Sequence, residues 1–264
     1  MSDQEDETAG ASPEANLPRI VSLVPSSTET LLALGAHVIA CSRFCEQPHL
    51  RHVGGTKNPD IAAILELAPD VVVLDREENR LEDHDALVAA GLNVFTSDVT
   101  DVAAGLDVVG ELARVSNTVS AEAVQELLRS GLDRRAGAPA GTRRTAFVPI
   151  WRRPWMTISP PTYGASVLAE LGVDLVPVAD PAAYPAVELG EIAALHPDLI
   201  VVPSEPYVFT PPHLDELAAA MPEARIVEVD GQDLFWWGIR TPDAITRLAA
   251  ALEPPATPGP PIHR

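Results

Sequence analysis

Apolar residues fall along this chain in two rhythms, short unbroken runs and longer stretches at helical spacing. From Val53 to Arg80, VGGTKNPDIAAILELAPDVVVLDREENR, a glycine turn leads into a short amphipathic helix, and Ala68-Pro69-Asp70 stops it. The stop has a steric cause, because proline disfavours helical geometry in the residue before it. The run Val71 to Leu74 then suits a strand covered on both faces. Polar residues from Asp75 to Arg80 leave that strand's carboxyl end. The same order returns from Tyr184 to Phe209, where Pro197-Asp198-Leu199-Ile200-Val201 echoes Pro69-Asp70-Val71-Val72-Val73. One distant repeat implies two similar lobes rather than a solenoid, which needs several close copies. Two lobes imply a cleft between them, lined by the polar exits of their strands.

Strands and helices alternate throughout, the pattern of open parallel sheets. The first lobe, residues 19–115, has expected strands at Arg19 to Val24, Val38 to Cys41, Val71 to Leu74 and Asn93 to Thr96. Ser26 or Ser27 is the expected cap of its first helix, and Asp101 to Arg114 forms its last. Ser116 to Arg135 reads as one long amphipathic helix, with Val124, Leu127, Leu128 and Leu132 at helical spacing. As a backbone segment, 116–137, it would join the lobes. The second lobe, 138–252, has expected strands at Thr145 to Ile150, near Leu175, at Leu199 to Val202 and at Arg225 to Val229. A helix over Pro242 to Leu252 closes it. An acidic lead, 1–18, and a proline-rich end, 253–264, are expected to be disordered. The fold class is therefore α/β, with two Rossmann-like parallel-sheet lobes on a single helical backbone.

Composition narrows the function. Acidic residues outnumber basic ones 38 to 18 over 264 residues, for a formal charge of −20. That excludes nucleic acid, whose phosphates need clustered Lys and Arg, and disfavours an anionic membrane surface. No window is long and apolar enough to insert into a bilayer. The first residues lack a basic start and an apolar stretch, so a cytoplasmic location is expected, with a periplasmic or extracellular one if the chain starts elsewhere. Cys41 and Cys45 are the two cysteines, too few for a disulfide framework.

Ligands of open α/β sheets bind outside the carboxyl ends of the strands, so the strand exits hold the candidate site. In the first lobe these are Pro25, Ser26, Ser27 and Thr28 at a helix amino terminus, then Arg43, Phe44 and Cys45, then Glu77. In the second they are Trp151, Arg152 and Trp155, then Ser204, Glu205 and Tyr207, then Trp236, Trp237 and Arg240. All four tryptophans lie in two of these exits. Together they suit a wide, flat, partly apolar ligand gripped by aromatic faces, although each alone could be a core anchor. The arginines would meet its carboxylates or phosphates through forked hydrogen bonds. Cys41, Cys45, His49 and His52 match no common zinc spacing. A single thiolate, Cys45, touching the metal of an organic chelate fits better. Motifs for a nucleophilic serine or for nucleotide phosphates are absent, so no catalytic residue and no intrinsic cofactor are expected.

The segments RIVSLVPSSTETLLALG, SRFCEQP, VGGTKNPDIAAILELAPDVVVL, YPAVELGEIAALHPDLIVVPSEPYVF and DLFWWGIRTP resemble the helical-backbone periplasmic binding proteins. That group includes the vitamin B12 and ferric-siderophore receptors of ABC importers. The resemblance spans about residues 19–252. It implies two α/β lobes on one rigid helix and a bound cobalamin, haem or siderophore-type chelate. Importer-linked members carry a glutamate on each lobe for the permease. Those positions fall here at Ala62 and Gly190, with Glu66, Glu188 and Glu191 nearby. The expectation is therefore a binding protein outside an importer. The alternatives are an importer subunit, or a tetrapyrrole chelatase using Cys45, Glu77 and Glu205.

Overall fold

The computed structural model describes residues 17–133 and 143–253, and they divide into two compact units. In the first, strand β1 (Ile20–Ser22) is followed by helix α1 (Pro25–Ala33), β2 (Val38–Cys41), β3 (Arg51–His52) and α2 (Ile61–Leu67). Next come β4 (Val71–Asp75), α3 (Leu81–Ala89), β5 (Val94–Ser97) and α4 (Val102–Ser116). The strands lie in the order β3-β2-β1-β4-β5, all parallel. Val21, Leu23, Val72 and Leu74 are fully or almost fully buried, as parallel strands require when both faces are covered. Helix α1 starts earlier than its expected serine cap. Pro25 occupies the first helical position, where its fixed φ fits and its missing N–H costs nothing.

After helix α5 (Ala121–Asp133), the second unit begins with β6 (Arg144–Phe147), β7 (Pro149–Trp151) and β8 (Trp155–Thr157). It continues through α6 (Tyr163–Glu170), β9 (Val173–Leu175), β10 (Ala186–Val187), α7 (Leu189–Ala193) and β11 (Leu199–Pro203). The last elements are α8 (Pro211–Ala220), β12 (Arg225–Val229), α9 (Gly231–Phe235) and α10 (Thr241–Leu252). Four strands form a parallel sheet in the order β12-β11-β6-β9. With β6, β9, β11 and β12 matched to β1, β2, β4 and β5, this is the order of the first unit. A small antiparallel sheet, β10-β8-β7, accompanies it. Its β7–β8 hairpin stands between β6 and α6, where the first unit runs directly from β1 to α1. The expected strand Thr145 to Ile150 is thus two strands, split after Phe147.

The repeat read from the sequence is geometrically real. Ala68 and His196 both hold left-handed backbone, at φ 44 and 49, each directly before a proline that disfavours right-handed helical geometry there. Asp70 then accepts the backbone N–H of Arg19 at 2.7 Å, and Asp198 that of Thr145 at 2.7 Å. In each unit one carboxylate pins the chain entering the first strand of the sheet.

The helix expected from Ser116, with its cap near Ser120, starts later, at Ala121. Helix α4 ends at Ser116, whose hydroxyl donates back to Leu112 O at 2.7 Å, and Asn117 turns left-handed at φ 52. Ser120 Oγ then caps α5 by accepting the N–H of Ala123. The compact units divide at Gln125 within α5 and also at Leu106 within α4, so residues 99–106 go with the second unit. Gly105 explains that: a Cβ there would stand 3.3 Å from Trp237 and 3.4 Å from Tyr163. The expected end of the long helix, and the two tails apart from Leu17, Pro18 and Glu253, lie outside the described residues.

Candidate functional site

In the first unit the order β3-β2-β1-β4-β5 reverses direction at β1, so β1 and β4 flank the switch point where open sheets bind ligands. Ser26, Ser27 and Thr28 lie there but turn inward, at 5%, 0% and 0% exposure. The Thr28 N–H is committed to Val24 O at 2.9 Å, and Pro25 has none to offer. The Thr28 N–H is therefore not the open donor to an anionic edge that was expected of it. Thr28 instead binds inward, to Ser22 Oγ and Val24 O, both at 2.8 Å, and to Cys45 Sγ at 3.2 Å.

Cys45 is 2% exposed, and its sulfur also faces Ser42 Oγ at 3.2 Å. Hydrogen bonds from Cys41, Ser42 and Thr28 bring its pKa down to about 6, against the opposing effect of burial. Cys41 is pushed the other way by the same pairing and by burial. A sulfur this enclosed does not present itself to a chelated metal at the surface, which corrects the expected metal contact. Arg43 and Phe44 are the exposed part of this segment. The Arg43 guanidinium lies 4.8 Å from the centre of the Phe44 ring. Gly55 sits directly beneath, where a Cβ would come within 3.2 Å of both side chains.

Glu77 is exposed on the loop after β4, and the sequence pattern did not show what holds that loop. Buried Asp75 accepts the Ser97 hydroxyl at 2.7 Å and the N–H groups of Glu77 and Glu78 at 2.9 and 3.4 Å. Asn79 accepts the Asp75 N–H and donates to Thr56 O, both at 2.8 Å, while Lys57 donates to Glu77 O. Burial raises the Asp75 carboxyl above its ordinary value, against the pull of these donors.

The second unit sorts its four tryptophans into two kinds. Trp237 is 5% exposed and belongs to the core. Trp155 stacks flat on Phe209, centres 5.9 Å apart and planes 2° apart, and Arg152 lies 5.6 Å from its ring. Arg152 itself is bound to Glu216 at 2.6 and 2.9 Å. Its expected role toward a ligand anion competes with that ion pair. Trp151, in contrast, is 44% exposed at the end of β7 and meets Tyr207 edge-on at 5.1 Å. Half-buried Trp236 donates its indole N–H to Glu205 at 2.8 Å, with the Arg240 guanidinium 5.0 Å from its ring.

One short loop after β11 connects these parts. Ser204 accepts the Gly231 N–H at 3.0 Å, Glu205 holds Trp236, and Tyr207 packs on Trp151. Gly231 is required, since a Cβ would stand 2.4 Å from Glu205 Cγ and 2.7 Å from its backbone nitrogen. Buried Asp233 accepts from Arg247 at 2.6 and 2.7 Å and from Arg240 at 3.5 Å, and Arg240 also reaches Gln232. Phe209 and Gly231 were not singled out from the sequence, His213 was read only as a surface residue beside a helix, and Asp233 was placed at the last strand exit without its arginine partners. The apolar residue inside the exit segment at Phe209 was the one signal available; the others become visible only once α8 and α9 are placed.

Comparison with known proteins agrees with this architecture. A family model described as periplasmic binding protein matches residues 20–223. The vitamin B12-binding protein of Yersinia pestis (strain Pestoides F) is 26% identical over 233 residues, covering 85% of this chain and 81% of its own. Among solved structures, the periplasmic vitamin B12 binding protein of Vibrio cholerae has a TM-score of 0.75 at 20% identity, covering 89% of this chain and 96% of its own. A periplasmic heme binding protein of Pseudomonas aeruginosa has a TM-score of 0.73 at 23% identity, covering 92% and 96%. At those identities the likeness establishes the fold. These matches overturn the expected cytoplasmic location, because the family and its relatives are periplasmic. The expectation rested on charge and on the composition of the first residues, neither of which reports a compartment. Two equivalent halves of one sheet order, a distant Pro-Asp repeat and a match over most of its length make this chain a member of the periplasmic binding protein family.

Proposed function

We propose that this chain binds a broad, partly flat metal chelate of the corrinoid, haem or siderophore type, as the substrate-binding subunit of an ABC importer. The observation that carries the reading is the loop after β11, which holds Trp236 through Glu205 and Trp151 through Tyr207. Two exposed or half-exposed indoles are fixed there at the carboxyl end of a parallel sheet, where ligands of such sheets bind. Arg240 is held beside Trp236 by Asp233 and Gln232, and a peripheral carboxylate would compete with these partners for it. In the first unit Arg43, Phe44 and Glu77 offer a ring, a cation and a carboxylate of their own. The names of the relatives, vitamin B12 and heme binding proteins, support the ligand class.

A permease partner is part of the same reading. The positions aligned with its docking glutamates, Ala62 and Gly190, lie exposed on α2 and α7. Glu66 on α2 and Glu191 on α7 are exposed close by and would supply the carboxylates. Titrating the purified chain with cyanocobalamin, cobinamide, haemin and a ferric siderophore, followed by visible absorption and tryptophan fluorescence, tests the ligand class. Saturable quenching by one of them is expected. Silence with all four would sink the reading.

A further inference from the structure

His213 stands half-buried in the first turn of α8 and takes no part in holding Trp151 or Trp236. Its ring closes a row of aromatic side chains that begins at exposed Trp151. Tyr207 meets Trp151 at 5.1 Å, and His213 packs on Tyr207 at 5.7 Å and edge-on to Phe209 at 6.1 Å. The backbone fixes which ring nitrogen of His213 carries the proton. Thr210 donates its N–H to His213 Nδ1 at 3.0 Å, so Nδ1 is the acceptor and the proton of the neutral imidazole sits on Nε2.

That Nε2–H has no hydrogen-bond partner among the described residues, and neither has the Tyr207 hydroxyl. Glu216, one turn further along α8, is bound to Arg152 instead, at 2.6 and 2.9 Å. The backbone at the helix start supplies no substitute donor. Pro211 and Pro212 carry no N–H, and the His213 N–H is bound to Thr210 O at 2.8 Å. The donors next to Trp151 are therefore the tips of two rings that pack on each other.

We propose that His213 and Tyr207 form a polar subsite that orients the ligand, donating Nε2–H and O–H to an oxygen of one of its peripheral side chains. The assignment rests on the reading that a chelate lies against Trp151. A flat indole face leaves such a ligand free to turn in its own plane, and directional donors at the edge of the face remove that freedom. Both donors are neutral, so they suit an amide carbonyl, as carried by a corrinoid, and also a carboxylate, as carried by haem.

Two variants delete the donors and leave their surroundings in place. Tyr207→Phe keeps the ring against Trp151, Phe209 and His213. His213→Gln keeps the helix cap, because glutamine at the third helical position also accepts from the cap N–H. Both should unfold in urea at the wild-type midpoint; should His213→Gln unfold earlier, Tyr207→Phe decides alone. The wild type and both variants are titrated with cyanocobalamin, cobinamide, haemin and a ferric siderophore. Each variant should bind the chelate that the wild type takes about three- to tenfold more weakly, the size of one neutral hydrogen bond. A loss with cyanocobalamin identifies an amide as the acceptor, and a loss with haemin a carboxylate. Equal affinity in the wild type and both variants would overturn the subsite and leave the chelate reading standing, whereas a wild type that binds none of the four removes both. Without any ligand, long-range proton–nitrogen correlation spectra should show Nδ1 of the neutral His213 ring unprotonated, its signal assigned by its loss in His213→Gln. A proton on Nδ1 would overturn the role of Nε2 as donor.

Discussion

At the scale of single residues, the same amino acid does different work depending on what its polar end can reach. Trp236 has its indole N–H satisfied by Glu205 and keeps part of its ring at the surface, whereas Trp155 is closed between Phe209 and Arg152. Replacing Trp151 by Ala should therefore weaken ligand binding by about 1–3 kcal/mol with little change in stability. Replacing Trp155 should cost about 2 kcal/mol of stability first, since it removes a half-buried stack. Urea melts beside ligand titrations of the two variants would separate the effects, and a reversed order would reassign the residues. Cys45 gives a pH dependence of known sign. Its folded pKa lies below the ordinary 9.0, at about 6. Its contribution to stability is thus fully present above pH 9.0 and lost as pH falls through about 6. Cys41, raised by the same pairing, acts oppositely: its share is present below pH 9.0 and lost as pH rises. An ultraviolet thiolate signal titrating near pH 6, absent in Cys45→Ser, would confirm the assignment.

At the scale of elements, two devices hold the site loops in place. The Pro-Asp pair before β4 and β11 turns the chain and pins the neighbouring first strand through a carboxylate. Asp198 accepts from both the N–H and the hydroxyl of Thr145. Asp198→Ala should cost about 1 kcal/mol of stability, read from the midpoint of urea unfolding, and Asp198→Asn should restore part of it. The second device is close backbone approach at the start of α9. Gly231→Ala forces a methyl into Glu205, so the loop after β11 must shift. The expected result is a loss of about 1–3 kcal/mol in stability together with altered Trp236 fluorescence, as its Glu205 partner moves. Unchanged fluorescence would mean that the loop does not position Trp236.

At the scale of the whole molecule, a bound chelate should stabilise the fold by mass action. A hundredfold excess over the dissociation constant adds about 2.7 kcal/mol, visible as a rise in melting temperature that scales with the logarithm of ligand concentration. A chelate that quenches tryptophan without raising the melting temperature would be attaching nonspecifically. The two-unit α/β plan was legible from the chain because buried parallel strands write continuous apolar runs, and Val71 to Leu74 and Leu199 to Val202 are two of them. The Pro-Asp repeat was legible because its turn chemistry is local. The β7–β8 hairpin was not, since Trp151-Arg152-Arg153-Pro154-Trp155 reads equally as a loop. The separation of α4 from α5 was legible, with one helix expected to end at Arg114 and the next to start at Ser116, but that start was placed too early, since α5 begins at Ala121. Which residues follow each strand was settled by order along the chain, a local property. Tertiary structure alone decided which of them stay at the surface: Trp151 and Arg43 outward, Trp237, Cys45 and Thr28 inward. Burial depends on partners distant in sequence, such as Gly105 under Trp237, and no pattern of neighbours encodes them.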